Sequence, residues 1–196
     1  MRWLLRHHFG ERSRHTVPAA ALAPRGDGHG VLVLPGWLTG DATTGPLRRL
    51  LRRLGYAAHG WELGRNLGPT DETRTGLERR LHDLHGATGG PVSLVGMSLG
   101  GVLARRLARE HPELVRRVVT MGSPFRPYET GEPPLPVPST AVYSRGDGIV
   151  DWRTCVDTDT RESVEVRGSH CGLGHNPQVV RIVVERLARE VPSWSR

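Results

Sequence analysis

The sequence predicts an α/β domain in which a mostly parallel sheet of roughly six strands is covered by helices on both faces. Three observations carry this expectation. Short apolar runs of strand length alternate along the chain with segments of helical periodicity. The helical segments place their apolar residues on one side and their arginines on the other. The length of 196 residues suits one domain with a single core.

The elements are expected in the following order. Residues 1–30 form an N-terminal extension that packs on a domain spanning 31–196. Met1 to His8 place Trp3, Leu4 and Leu5 between arginines, and no longer apolar stretch follows. Strands are expected over 31–34, 56–60, 91–95, 117–121, 139–143 and 162–166. Between them, helices are expected over 43–54, 70–85, 99–110 and 176–190. In the first helix Leu47, Leu50, Leu51 and Leu54 recur at helical spacing, while Arg48, Arg49, Arg52 and Arg53 fill the solvated face. Val179, Val180, Val183, Val184 and Leu187 repeat that pattern in the last helix. Asn176-Pro177 supplies its start, with asparagine as the cap and proline in the first helical position.

The motif with the most chemical content is Gly96-Met97-Ser98-Leu99-Gly100, a G-x-S-x-G pentapeptide between the strand of Pro91 to Val95 and a helix opening near Leu99. A serine on a sharp turn from strand to helix has its Oγ lifted above the sheet edge. Glycines on both sides let strand and helix approach without a Cβ clash. Downstream, the strand ending at Tyr143 leads to Asp147, and the strand ending near Val166 leads to His170. The chain order is serine, acid, histidine, with all three at carboxyl ends of strands, where open α/β sheets carry their sites. Asp151 is a rival acid and His175 a rival histidine. Asp151 follows Ile149-Val150 near the start of a short helix, and His175 directly precedes the Asn176-Pro177 cap.

These residues resemble the α/β-hydrolase superfamily, specifically small bacterial serine esterases and lipases without a large lid. The resemblance covers most of residues 31–190. It rests on Leu34-Pro35-Gly36-Trp37, the serine turn, the Asp-x-x-Val of Asp147 to Val150, and Gly-Ser-His-Cys-Gly-Leu-Gly from Gly168 to Gly174. It implies a minimal α/β-hydrolase fold with no cap domain and a Ser98, Asp147, His170 triad, in preference to Asp151 and His175. The family has His-Gly where this chain has Pro35-Gly36. That exchange leaves an oxyanion role intact, because a backbone N–H performs it.

The roles follow from what acyl transfer requires. A serine hydroxyl is a poor nucleophile at neutral pH, so His170 takes its proton as general base, and Asp147 fixes the imidazole tautomer. The oxyanion needs preorganised donors, for which the N–H groups of Leu99 and Trp37 are the candidates. Losing one donor of this kind costs about 3 kcal/mol of transition-state stabilisation. Trp37, Arg65, Asn66 and Trp152 are candidate substrate contacts. Asn66 and Gly64 equally suit a turn, and both tryptophans equally suit core packing.

Net charge is +7, with 27 basic residues that are all arginine. The arginines are scattered as pairs on several helices, without a stripe or interleaved aromatics, so no nucleic-acid partner is expected. A basic surface suits peripheral contact with anionic lipid, without stable insertion. The ten histidines include His82 and His85 on one helix face but no evident third ligand, so neither a metal nor a cofactor is expected. The absence of a signal-like stretch points to a cytoplasmic protein in which Cys155 and Cys171 are reduced, Cys171 serving in packing. The sequence sets no oligomeric state.

Only the proline-rich residues 125–138 stand where larger hydrolases insert a lid, so an open cleft is expected, suited to a small-molecule or lipid ester. Two other functions share the same residues. An acyltransferase would use the same triad with an acceptor that outcompetes water, and a non-catalytic binding protein would keep the fold alone.

Overall fold

The computed structural model describes residues 24–157 and 162–190. The strands are β1 (Gly30–Leu34), β2 (Ala57–Gly60), β3 (Val92–Met97), β4 (Val115–Met121), β5 (Ser139–Tyr143) and β6 (Glu162–Glu165). The helices are α1 (Asp41–Arg53), α2 (Asp71–Thr88), α3 (Leu99–Glu110), α4 (His170–Leu173) and α5 (Pro177–Leu187). The strands form one sheet in the order β2-β1-β3-β4-β5-β6, and every pairing is parallel. A mostly parallel sheet was expected; among the described residues it is wholly so.

The period of the strands divides the core into two layers. Along β1, Val31 and Val33 point to the face covered by α1 and α5, while Leu32 and Leu34 point to the face covered by α2 and α3. The first layer gathers Leu47 and Leu51 of α1, and Leu54 at its C-cap, with Val179, Val183 and Leu187 of α5. The second gathers Leu77, Leu81 and Leu84 of α2 with Leu103, Ala104 and Leu107 of α3. Each fully buried leucine or valine contributes on the order of 2 kcal/mol through removal from water. Arg49, Arg52 and Arg53 stay in solvent on the other side of α1, whereas Arg48 is half-buried and donates to Thr44 Oγ1 at 3.1 Å and Asp41 O at 2.6 Å.

Caps set the helix ends. Thr70 accepts from the Thr73 N–H at 3.2 Å at the start of α2, and Gly89, at φ 72°, ends it in the left-handed conformation that glycine tolerates. Asn176 Oδ1 accepts from the Gln178 N–H at 2.9 Å, with Pro177 in the first helical position, as the sequence predicts. The last helix stops at Leu187 instead of 190, and the short helix α4 was not foreseen. Of the expected extension, residues 1–23 lie outside the described residues. Residues 24–29 run into β1, where the Gly26 N–H donates to Leu54 O at 2.7 Å.

One buried cation ties the wall of the sheet's carboxyl edge to α3. Arg105 is 2% exposed and lies over the Phe125 ring at 3.9 Å. It forks onto Glu129 with bonds of 2.8 and 2.7 Å and reaches Asp157 at 2.9 Å. Arg109 adds a bond of 3.0 Å to Glu129 and one of 2.7 Å to Pro133 O. A guanidinium can be buried here because its donors meet two carboxylates. The proline-rich segment is thereby fastened to the helix that follows Ser98. Between β4 and β5 it forms only the 3-10 turn Arg126–Tyr128, and no cap domain is present among the described residues.

Candidate active site

Ser98 sits between β3 and α3 at φ 51° and ψ −125°, one of three non-glycine residues with positive φ among those described. Such a conformation costs on the order of 1–3 kcal/mol and persists only where its surroundings enforce it. The Ser98 N–H donates to Met121 O at 2.9 Å, and Ser98 O accepts from the Gly101 N–H at 2.9 Å. The flanking glycines are sterically required. A Cβ at Gly100 would stand 2.5 Å from Pro35 O, and one at Gly96 would stand 2.5 Å from Gly100 O. Close approach of β3, α3 and the end of β1 thus forces the G-x-S-x-G spacing.

His170 begins α4. Its Nδ1 pairs with Asp147 Oδ2 at 2.7 Å, and its N–H donates to Asp147 O at 2.9 Å. Both residues are buried. The other carboxylate oxygen of Asp147 accepts from the N–H groups of Ile149 at 3.1 Å and Val150 at 2.7 Å, so the charge is fully partnered without solvent. The two rivals occupy other positions. Asp151 is exposed, capping the 3-10 turn Trp152–Cys155 by accepting from the Arg153 N–H at 3.0 Å. His175 is exposed one residue before the Asn176 cap, although it lines the cleft.

Ser98 and His170 line one cavity of about 410 Å3. Val33, Leu47, Met97 and Met121 make its apolar floor, Thr43 and Thr44 of α1 one side, and Trp37 and Ile149 its mouth. The loop after β1 borders this cavity. Leu38 N–H donates to Asn66 O at 2.8 Å and Thr39 N–H to Gly36 O at 3.1 Å, but among the described residues the Trp37 N–H has no partner. Leu99 N–H opens α3, where no intrahelical carbonyl can reach it and the helix dipole favours negative charge.

Three of the expected substrate contacts lie elsewhere, and the reading of them is corrected. Asn66 is fully buried: its Nδ2 donates to Pro35 O at 2.8 Å and its Oδ1 accepts from the Gly68 N–H at 3.0 Å. The backbone bonds from Leu38 N–H to Asn66 O and from Asn66 N–H to Thr39 O, both 2.8 Å, complete a clamp on the Trp37 loop. Arg65 is exposed and outside the cavity lining. Trp152 stacks on Tyr143 at 5.7 Å and has the guanidinium groups of Arg145 and Arg153 at 4.5 and 4.7 Å from its ring, also away from the lining. Trp37, by contrast, is exposed and borders the cavity.

Cys171 and Gly122 differ from what the sequence suggests. Cys171 was expected to pack, but it is exposed and lines the cavity, because the first turn of α4 rotates it away from the core. Cys155 is free and buried, and burial pushes its thiol up to about 12. Gly122, at φ 55°, lies against the acid and histidine: a Cβ there would be 3.1 Å from Asp147 Oδ2, 3.3 Å from His170 Nδ1 and 2.8 Å from Leu173 Cδ1. A glycine directly after a predicted strand was the only signal for it.

The same three residue types also form an array at the opposite edge of the sheet. His29 pairs through Nδ1 with Asp27 and through Nε2 with Ser93 Oγ at 2.8 Å. Ser93 lies inside β3 with no exposed surface, so no substrate can reach it. For a metal, Glu78, Glu110 and His111 bring ligand atoms within 4.8 Å of one another. Both carboxylates are paired with arginines, and none of the three lines the cavity.

Residues 69–152 match the family model described as the alpha/beta hydrolase fold. No curated protein sequence matches the chain. Among solved structures, the mature Bacillus licheniformis lipase BlEst2 superposes with a TM-score of 0.68 at 13% identity, over 84% of this chain and 94% of that one. A predicted CIB-like hydrolase from Thermoplasma acidophilum gives 0.58 at 14% identity, over 82% and 86%. Aspergillus fumigatus lipase B gives 0.64 at 14% identity, over 84% of this chain and 54% of that one. At such identities the likeness is one of fold, and it agrees with the parallel sheet, the serine turn and the family-model match: this chain has the α/β-hydrolase fold.

Proposed function

We propose that the chain is a serine hydrolase that cleaves carboxylic esters through an acyl-enzyme on Ser98. The observation that carries this reading is the 2.7 Å pairing of buried Asp147 with His170, in the same cavity as a serine held at φ 51°. In this mechanism Ser98 Oγ attacks the ester carbonyl carbon while His170 Nε2 takes the hydroxyl proton. Asp147 holds Nδ1–H, which directs Nε2 toward the serine and stabilises the imidazolium. The carbonyl oxygen becomes an oxyanion between the N–H groups of Leu99 and Trp37. The alcohol departs with the proton from His170, leaving the acyl group on Ser98. Water then attacks the acyl carbon, giving a proton to His170; as the bond to Ser98 Oγ breaks, His170 returns that proton to Oγ, and the carboxylic acid and free serine are released. The apolar floor of the cavity favours an uncharged acyl group over a polar one.

The test is hydrolysis of p-nitrophenyl esters of increasing chain length by the wild type and by Ser98→Ala. Serine-dependent turnover is expected, with matching loss of labelling by a fluorophosphonate probe. Turnover or labelling that survives in Ser98→Ala moves the nucleophile elsewhere. Folded protein with no turnover at any chain length removes the hydrolase reading.

A further inference from the structure

Among the described residues, five large apolar side chains are exposed: Trp37, Leu38, Leu67, Tyr128 and Ile149, with 47 to 69% of their surface in solvent. Single exposed apolar residues are ordinary on a protein surface and need no explanation. Their distribution here does. Trp37 and Leu38 follow β1, Leu67 follows β2, Tyr128 follows β4 and Ile149 follows β5. All five therefore stand in connections leaving the carboxyl ends of the strands, Tyr128 in the 3-10 turn after β4, and none stands on an α-helix. Trp37 and Ile149 border the cavity mouth, while Leu38 and Leu67 are joined through the bond from Leu38 N–H to Asn66 O.

The backbone under this rim is held, not loose. Leu38 keeps φ 59°, a conformation a leucine adopts only under constraint, and the Asn66 clamp maintains it. The charges on the same edge are also distinctive. Arg145 and Arg153 have carboxylate partners in Glu165 and Asp151, whereas Arg65 and Arg126 have none among the described residues. The chain as a whole carries +7.

We propose that this edge is an interfacial docking surface that seats the cavity mouth on an anionic lipid aggregate. The apolar side chains of these connections enter the boundary between headgroups and acyl chains, while the guanidinium groups of Arg65 and Arg126 meet lipid phosphates. The proposed contact is peripheral, and no helix of the described residues is long and apolar enough to cross a membrane. The inference rests on the ester-hydrolase reading for its substrate, a lipid ester delivered from the aggregate, but the docking itself needs no turnover.

The experiment is co-sedimentation of the full chain with phosphatidylglycerol-containing and with pure phosphatidylcholine vesicles, for the wild type and a Leu67→Ser, Tyr128→Ser double variant. Neither residue touches the cavity. Expected are binding to the phosphatidylglycerol vesicles and a partition coefficient at least about tenfold lower in the double variant, as loss of several buried CH2 groups requires. Hydrolysis of soluble p-nitrophenyl acetate should stay within about twofold of wild type. Absence of vesicle binding overturns the proposal, as does binding that is equal in the variant and disappears with salt. Self-association lost in the variant, without vesicle binding, overturns it in favour of a second copy of the chain. Vesicle binding without any ester turnover sinks the hydrolase reading and leaves the surface standing.

Discussion

Asn66 carries the loop of Trp37 on its side chain: its Nδ2 donates to Pro35 O at 2.8 Å from a position with no exposed surface. The candidate oxyanion donor is thus placed by a residue that contacts no substrate. Asn66→Ala removes two side-chain bonds and leaves Pro35 O unpartnered, which is expected to destabilise the fold by about 2 kcal/mol. In the protein that remains folded, kcat should fall at least about tenfold with little change in KM, because the donor matters most in the transition state. A change confined to KM would return Asn66 to substrate binding.

Gly122→Ala is expected to be far more damaging than an added methyl suggests. The new Cβ would lie against Asp147 Oδ2 and His170 Nδ1 in a left-handed backbone. Displacing the imidazole by an ångström should lower kcat on the order of 100-fold. Circular dichroism and a melting curve beside the kinetics separate this from unfolding.

Asp147 and Asp151 should behave differently under the same replacement. Asp147→Asn removes the acceptor that fixes the His170 tautomer, with an expected loss of about 10,000-fold in kcat. Asp151→Asn keeps a competent cap on an exposed turn and should stay within about twofold. Steady-state rates on one soluble ester decide it, and the reverse ranking would reassign the acid.

His29 should make stability depend on pH. Burial lowers its pKa below 6.5, and Arg116 and Arg117 add to this against the opposing pull of Asp27. The unfolded chain therefore binds a proton near pH 6.5 that the native state still refuses. Stability is complete above that pH and falls as pH drops toward the folded value. Asp27 acts in the same direction at lower pH. Burial raises it, but hydrogen bonds from His29 outweigh that and hold it at about 2, so its contribution is lost as pH falls from 3.8 through 2. Urea unfolding across this range should show the decline, and His29→Asn should flatten the part below pH 6.5. Ser98-dependent labelling should be unaffected, since Ser93 at the other end of the array is sealed in β3.

The elements that were legible in advance are those with local causes. The helix expected over 99–110 has those bounds, and Leu47, Leu51 and Leu54 are buried as their spacing requires. The serine turn was legible because its glycines are adjacent in sequence. What escaped depends on meetings between distant segments. Gly122 matters through Asp147 and His170, and Asn66 through Pro35. Trp152 reads from the sequence as a candidate substrate contact, but Tyr143 and two arginines pack on its ring instead. Periodicity carries no information about such encounters.

Arg105 has one consequence in evolutionary terms. Glu129 and Asp157 hold it jointly, so losing Arg105 leaves the buried Asp157 side chain without its cation, at a cost of about 3–5 kcal/mol. Losing Glu129 strips the wall of its tie to both Arg105 and Arg109. Around them only the exposed positions of the proline-rich wall can vary, because Phe125, Leu135 and Val137 are buried in the core. A lineage exploring new substrates through that loop would therefore keep Glu129 as its fixed point while rewriting its neighbours.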